Sequence, residues 1–351
     1  MRDALATRIA ALIDRLASGA TDGTARDALL VEVARYQRER VAPYARLWSA
    51  RGELPAMPTD VFRYARIAAH PESEDVRVFL TSGTTSGARG RHALRDLALY
   101  DRAAEAAARY ALFPDLPRMR LVMLAPHPDE APTSSLSYML GRFEPWFGSD
   151  TRWAWRDGSL RLDVLIEALR EAERAGEPIA ILGTSFALVH AEDSLGEVRF
   201  ALPAKSRLMQ TGGYKGRSRE VAPEALRSAL SLRYGLDDAW IVAEYGMTEL
   251  SSQMYEATLR AAALGEPIPE RRLWIPGWIR ASVVDPSTLA PVPEGTAGVL
   301  RIDDLANLDS VCAIQTSDVA IAHGDRIELL GRAPGATPRG CSLAVEEALA
   351  T

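Results

Sequence analysis

Residues 81–90 read Thr-Ser-Gly-Thr-Thr-Ser-Gly-Ala-Arg-Gly, between an apolar run at 76–80 and a helix-patterned stretch that starts near Asp96. This is the build of a phosphate cradle. Glycines let the backbone curl until successive N–H groups point inward, the hydroxyls of Thr81, Ser82, Thr84 and Thr85 add donors, and Arg89 and Arg91 add positive charge. Taken alone, the same letters also describe an ordinary Ser/Thr/Gly turn between a strand and a helix. Two standard phosphate motifs are excluded: the chain has no G-x-x-x-x-G-K-[ST], and no two of its glycines stand at G-x-G spacing, so neither a P-loop nor a dinucleotide fingerprint is supported.

Beyond the loop, short apolar runs alternate with longer amphipathic stretches. Helical spacing marks 2–17, 24–40, 161–175 and 222–234, and strand-like runs fall at 119–125, 178–183 and 239–245. Such alternation predicts an α/β fold with a largely parallel sheet. After Pro276 the apolar runs shorten (278–284, 298–302, 326–330), which predicts a smaller β-rich subdomain. The first helix has its apolar residues at Leu5, Ile9, Leu12, Ile13 and Leu16, interrupted by Asp3 and Asp14, a pattern unlike a secretory signal.

Further motifs follow the loop in a fixed order. Gln210-Thr211-Gly212-Gly213 follows an apolar run, Glu244-Tyr245-Gly246-Met247-Thr248-Glu249 comes next, then Gln315-Thr316-Ser317-Asp318, then Gly331-Arg332. The set resembles the adenylate-forming ligases, which carry a TSGTTG-type loop for the phosphates of ATP, a YGxTE motif, a TGD motif and a G-R hinge. Ser86 and Ser317 stand where that pattern has Gly. The resemblance implies ATP and Mg as cofactors, with Thr81, Ser82, Gly83, Thr84 and Thr85 on the phosphates. It places Gly212 and Gly213 near the adenine, Tyr245 and Gly246 at the base, Thr248 on phosphate, Glu249 on the magnesium ion, Asp318 on the ribose and Arg332 at the hinge. The chemistry needs these types. Attack of a carboxylate on the α-phosphate is promoted by neutralising phosphate charge and fixing an in-line geometry, which calls for donors, a metal and a carboxylate to hold it.

Thr211-Gly212-Gly213-Tyr214-Lys215-Gly216-Arg217, Ser134-Ser135-Leu136-Ser137-Tyr138-Met139-Leu140 and Pro338-Arg339-Gly340-Cys341-Ser342-Leu343 narrow the likeness. Over about 50–351 the chain resembles the acyl-protein synthetase family, the long-chain-fatty-acid–luciferin-component ligases of bacterial bioluminescence. That resemblance implies three segments: a helical one at 1–50, an adenylate-forming domain at 51–330 with parallel-type sheets flanked by helices and a smaller β-rich subdomain, and a C-terminal domain reduced to a stub at 331–351. The stub would lack the usual lysine-bearing domain and carry Cys341, which in the family takes the acyl group from the adenylate as a thioester. A free thiol of pKa about 8.5 is only a few per cent ionised at neutral pH, and Arg339 could lower that value. The partner implied is an NADPH-dependent acyl reductase. Two other readings stay open: a shortened acyl-CoA or aryl-CoA ligase, and a non-catalytic nucleotide-binding scaffold subunit.

Composition limits the classes. The chain has 351 residues, is 47% hydrophobic and carries a net charge of −6 at pH 7, which argues against a nucleic-acid partner, and no apolar run reaches membrane-spanning length. Only two cysteines, Cys312 and Cys341, rule out a disulfide framework and suggest a reducing, cytoplasmic setting. Cys312, in the apolar run 311–314, reads as a core residue. None of the five histidines has metal-ligand spacing. His127, between two prolines after a strand, is a candidate for the acyl site, as are Tyr138, Phe186 and His190, and His92 could touch the phosphate loop. Gly183-Thr184-Ser185-Phe186-Ala187 lacks the second glycine of a nucleophile elbow and reads as packing.

Overall fold

The computed structural model describes residues 1–81, 88–212, 221–332 and Leu349. They form two compact units, one of 1–107, 247–254 and 272–351, the other of 108–246 and 255–271.

In the second unit, five strands run parallel in the order Gly148–Trp153, Met119–Leu124, Ile179–Thr184, Arg207–Thr211, Ile241–Tyr245. Alternation decides which face each residue serves. Val122, Ile181, Leu208 and Ile241 make one cross-strand row and are buried with the helices Leu162–Ala175, Ser185–Leu195 and Pro223–Tyr234. Burial of each such side chain contributes about 1.5–3 kcal/mol. Strand Ile179–Thr184 is buried over its first five residues, the unbroken apolar signature of a strand covered on both faces. Gly183 is required there, because a Cβ would stand 2.6 Å from the Leu124 Cβ and 2.9 Å from its carbonyl oxygen. The strands and helices expected for this region fall where the periodicity put them, within a residue or two.

The first unit begins with helix Arg2–Leu16, which buries Leu5, Ile9, Leu12, Ile13 and Leu16, the stripe read from the sequence. Helix Gly23–Arg38 starts on Asp22, whose carboxylate accepts from the Ala25 N–H, and helix Ala42–Arg51 follows. The β-rich part is an antiparallel meander of Ile279–Val284, Ala297–Asp304, Ala313–His323 and Arg326–Arg332. Met57–Pro58 adds in parallel to Ala313–His323.

One local reading needs correction. The polar loop does not run from a strand into a helix. It joins the two strands of an antiparallel hairpin, Arg77–Leu80 and Arg91–Leu94, and helix Ala98–Ala111 comes only afterwards. That helix's amino end is already capped by Asp96, which accepts from the Ala98 N–H at 2.9 Å, so an acidic group stands where a helix-bound phosphate would need positive potential.

Candidate active site

At the carboxyl ends of the parallel strands, Thr184, Thr211 and Glu244 stand in one cross-strand row. Strand ends of this kind are where open α/β sheets place ligands. Thr211 donates its hydroxyl to Glu244 in a short hydrogen bond. Burial nevertheless pushes the Glu244 carboxyl up to about 7, because the charged form is desolvated and this one hydroxyl compensates only in part. Gly212 follows at a positive φ of 69°, and its carbonyl accepts the Ser185 hydroxyl at 2.9 Å. With Thr184 capping the next helix at Ala187 N–H and Ser185 bound to backbone, the Gly-Thr-Ser-Phe-Ala segment is a packed turn and not a nucleophile elbow, as its spelling indicated.

Tyr245 ends the last strand, and Gly246 beyond it is exposed. His127 follows strand Met119–Leu124, with its ring edge-on to Trp153 at 4.7 Å and its Nδ1 3.3 Å from the Asp129 carboxylate. The next residue, Pro128, lies against helix Ser135–Phe147 at Gly141, where a Cβ would come within 2.6 Å of the proline ring, so the His127 turn and the helix that carries Tyr138 are neighbours. Phe186 and His190 stack on each other beside Trp155, and Phe186 packs against the helix-side core.

The first unit holds the other half of the motif residues. Thr81 forms the neck of the polar loop: its N–H donates to the Gly90 carbonyl at 2.9 Å, and its hydroxyl accepts from the Gly90 N–H at 2.8 Å. Both cations credited to the loop are engaged elsewhere. Arg89 donates to the Thr81 carbonyl at 2.6 Å, and Arg91 forms an exposed pair with Glu72 at 3.2 Å. Ser82, Gly83, Thr84, Thr85, Gly213 and Cys341 lie outside the described residues.

Thr248 and Glu249 are the central residues of a turn closed by the Leu250 N–H on the Met247 carbonyl at 3.1 Å. In such a turn the two central carbonyls have no partner of their own, and an unmet buried carbonyl costs about 1–3 kcal/mol. Here His92 Nδ1 donates to the Thr248 carbonyl and Asn307 Nδ2 donates to the Glu249 carbonyl, each at 2.8 Å. His92 is buried, which lowers its pKa to about 4 and keeps the ring neutral. The Glu249 carboxyl is pushed up to about 7 by burial, only partly offset by its own N–H and by the fields of Arg332 and Arg63. No described cation forms an ion pair with it.

Asp318 and Arg332 face each other across antiparallel strands, with Arg332 Nε donating to the Asp318 carboxylate at 3.2 Å. Their neighbours in the motif have structural work. A bulge between Val299 and Arg301 leaves the Leu300 carbonyl off the ladder, and the Thr316 hydroxyl and Gln315 amide both donate to it. Cys312 is fully buried, its N–H held by Gln37 and its thiol pushed well up by burial, so it is the core residue its apolar surroundings predicted.

Glu244, Asn307 and Asp304 were not singled out in the sequence. Asp304 accepts from Ser251 N–H, Ser252 hydroxyl and Ala306 N–H, and the Ser251 hydroxyl donates to the Asn307 side-chain Oδ1. Glu244 precedes a recognised motif and could have been noticed on that ground. Asn307 and Asp304 gave no signal, since they lie far along the chain from the turn they support.

The architecture agrees with that of known proteins. An open form of 2-hydroxyisobutyryl-CoA ligase with its acyl-adenylate and CoA superposes with a TM-score of 0.63 at 15% identity, covering 91% of this chain and 76% of that one. McyG A-PCP complexed with phenylalanyl-adenylate gives 0.51 at 16% identity, over 74% and 47%. At these identities the likeness shows a shared fold, that of the adenylate-forming ligases. In sequence, the long-chain-fatty-acid–luciferin-component ligase of Aliivibrio fischeri is 21% identical over 309 residues, 84% of this chain and 78% of its own length. The one from Vibrio harveyi is 30% identical over 86 residues, 22% and 23% of the two chains. Residues 49–350 match the family described as acyl-protein synthetase, LuxE. The chain therefore belongs to the LuxE acyl-protein synthetase family and is an acid ligase of the AMP-forming kind.

Proposed function

We propose that this protein activates a carboxylic acid, a fatty acid by analogy with its relatives, at the expense of ATP and passes the acyl group to its own Cys341. The observation that carries the reading is Glu249: a buried carboxylate without a described cation partner, on a turn whose backbone is held from two sides. A magnesium ion suits it. Mg²⁺ takes hard oxygen ligands and is commonly held by one or two carboxylates together with substrate phosphates. Bound there, it would neutralise charge on the phosphates. Among the described residues no cluster of three or more His, Cys, Asp or Glu side chains could hold a metal, so in this reading ATP supplies the remaining ligands.

Thr81 and the loop it anchors would receive the phosphates, Asp318 would accept from the ribose hydroxyls, and Gly212, Gly213, Tyr245 and Gly246 would border the base. Thr248 would touch phosphate. His127, Tyr138 and Phe186 are the candidates for the acyl pocket. In the first half-reaction a carboxylate oxygen attacks the α-phosphorus and pyrophosphate leaves. In the second the Cys341 thiol loses its proton to solvent, its sulfur attacks the acyl carbonyl, and AMP leaves with the electron pair of the broken C–O bond. The thioester then supplies an acyl reductase partner. A free catalytic thiol requires a reducing compartment, so we place the protein in the cytoplasm. No helix among the described residues is long and apolar enough to cross a membrane.

Intact-mass spectrometry after incubation with ATP, Mg²⁺ and a panel of acids tests the reading, since the added mass names the acid and its position names the acceptor. Cys341→Ser is expected to retain acid-dependent ATP–pyrophosphate exchange and lose hydroxylamine-sensitive acylation, because a serine hydroxyl is scarcely ionised at neutral pH. Label on another residue, or product formed only with coenzyme A, would replace this account with a coenzyme A ligase. Absence of pyrophosphate exchange with every acid would leave a binding subunit.

A further inference from the structure

We infer that His92 and Asn307 are positioning residues that aim Glu249 at its metal by holding the two carbonyls on either side of its Cα. The inference rests on the reading of Glu249 as the magnesium ligand. Its geometry is independent of that reading. Thr248 and Glu249 occupy the centre of one turn, so their carbonyls set the orientation of both peptide planes around the Glu249 side chain. A carbonyl only accepts, so His92 must carry its proton on Nδ1. Its Nε2 is then a buried acceptor with no hydrogen-bond partner, and the ring's single donor is committed to Thr248. Phe62 lies edge-on to the ring with centroids 6.1 Å apart.

Asn307 is fixed in the same way. Its side-chain oxygen accepts the Ser251 hydroxyl at 2.6 Å, which assigns the amide and leaves Nδ2 to reach the Glu249 carbonyl. Asp304 holds the Ser251 N–H at 3.0 Å and the Ser252 hydroxyl at 2.8 Å, so the chain just after Glu249 is bound as well. His92 stands on strand Arg91–Leu94, two residues past Gly90, whose N–H closes the loop neck on Thr81. The strand that continues from the loop neck and the turn bearing Glu249 are thus tied by one imidazole.

Mn²⁺ binding, read by electron paramagnetic resonance on the full-length protein with a non-hydrolysable ATP analogue, tests this without turnover. His92→Asn keeps a donor at the branch position of Nδ1 and is expected to hold Mn²⁺ within about threefold of wild type. His92→Gln moves the amide one bond outward, and His92→Leu removes the donor. Both are expected to weaken Mn²⁺ at least tenfold, as supporting residues around a metal do. Asn307→Asp replaces the donor with an acceptor and should weaken it similarly. If all four variants bind Mn²⁺ like wild type while Glu249→Gln does not, the positioning role is overturned and the ligand assignment stands. If Glu249→Gln binds like wild type, the assignment of Glu249 fails and the inference fails with it. Should His92→Leu not fold, the contrast between His92→Asn and His92→Gln decides, since loss of packing alone would not order them this way.

Discussion

Two buried glutamates at the ends of the segment 244–249 are kept in different ways. Glu244, at the end of a parallel strand, has Thr211 of the neighbouring strand as its partner, and the sheet register supplies that neighbour. Glu249, in the other unit, has its backbone secured by His92 and Asn307 while its carboxylate has no described cation. Burial raises both carboxyls to about 7. On the reading proposed above, Glu244 with its Thr211 partner belongs to the scaffold of its sheet, and Glu249, whose carboxylate accepts from its own N–H and has no described counter-charge, receives a cation.

The largest effect should separate the pair outright. Glu249→Ala is expected to cut acid-dependent ATP–pyrophosphate exchange by about a thousandfold or more, the scale of losing a group that acts on developing phosphate charge, while Glu244→Gln stays within about tenfold. Equal losses in the two would erase the distinction. Asp318→Ala comes next, expected to raise the KM for ATP by about ten- to a hundredfold with a smaller change in kcat, because it removes a binding contact remote from the reacting atoms.

Stability against pH sharpens the same comparison. The folded-state pKa of Glu244 lies near 7, above its ordinary value of 4.5, so between those values the folded protein holds a proton that the unfolded chain releases. Its contribution is fully present below about 4.5, falls as pH rises, and is lost above about 7. Glu244→Gln should flatten this part of the profile and make the variant relatively more stable at pH 8, by at most about 3 kcal/mol for a shift of this size. Chemical denaturation at pH 5 and pH 8 checks it. Glu249, raised to about the same value, contributes a like slope that the variant keeps, so only a slope undiminished by the substitution would show that Glu244 is ionised in the fold.

How much of this could be read from the letters follows the same divide. Three of the five parallel strands of the second unit, Met119–Leu124, Ile179–Thr184 and Ile241–Tyr245, announced themselves through apolar runs, whereas Gly148–Trp153, spelled Gly-Ser-Asp-Thr-Arg-Trp, has no such run and gave no signal. The candidates Gly212 and Tyr245 lie at or just beyond strand ends because their motifs followed apolar runs. Strand Arg91–Leu94 was missed: its four residues, Arg-His-Ala-Leu, carry too little apolar character to signal a strand, and only pairing with Arg77–Leu80 makes them one. The supports of Glu249 were illegible for a different reason. His92, Asp304 and Asn307 meet the turn through tertiary contacts, and no local pattern records which distant amide will face which carbonyl.

The smallest effect concerns the charge credited to the loop. Arg91 and Glu72 pair on the surface with side chains 57% and 71% exposed, and such pairs contribute about 0–1 kcal/mol. Arg91→Gln should therefore shift the melting temperature by no more than a degree or two in the absence of nucleotide. The pair is weak enough to exchange for a phosphate at little cost, so the ATP-induced rise in melting temperature distinguishes two roles for this arginine. A rise equal to that of wild type would leave Arg91 as a surface cation. A reduced rise, largest at low ionic strength where screening is weakest, would show that it turns from Glu72 to the phosphates.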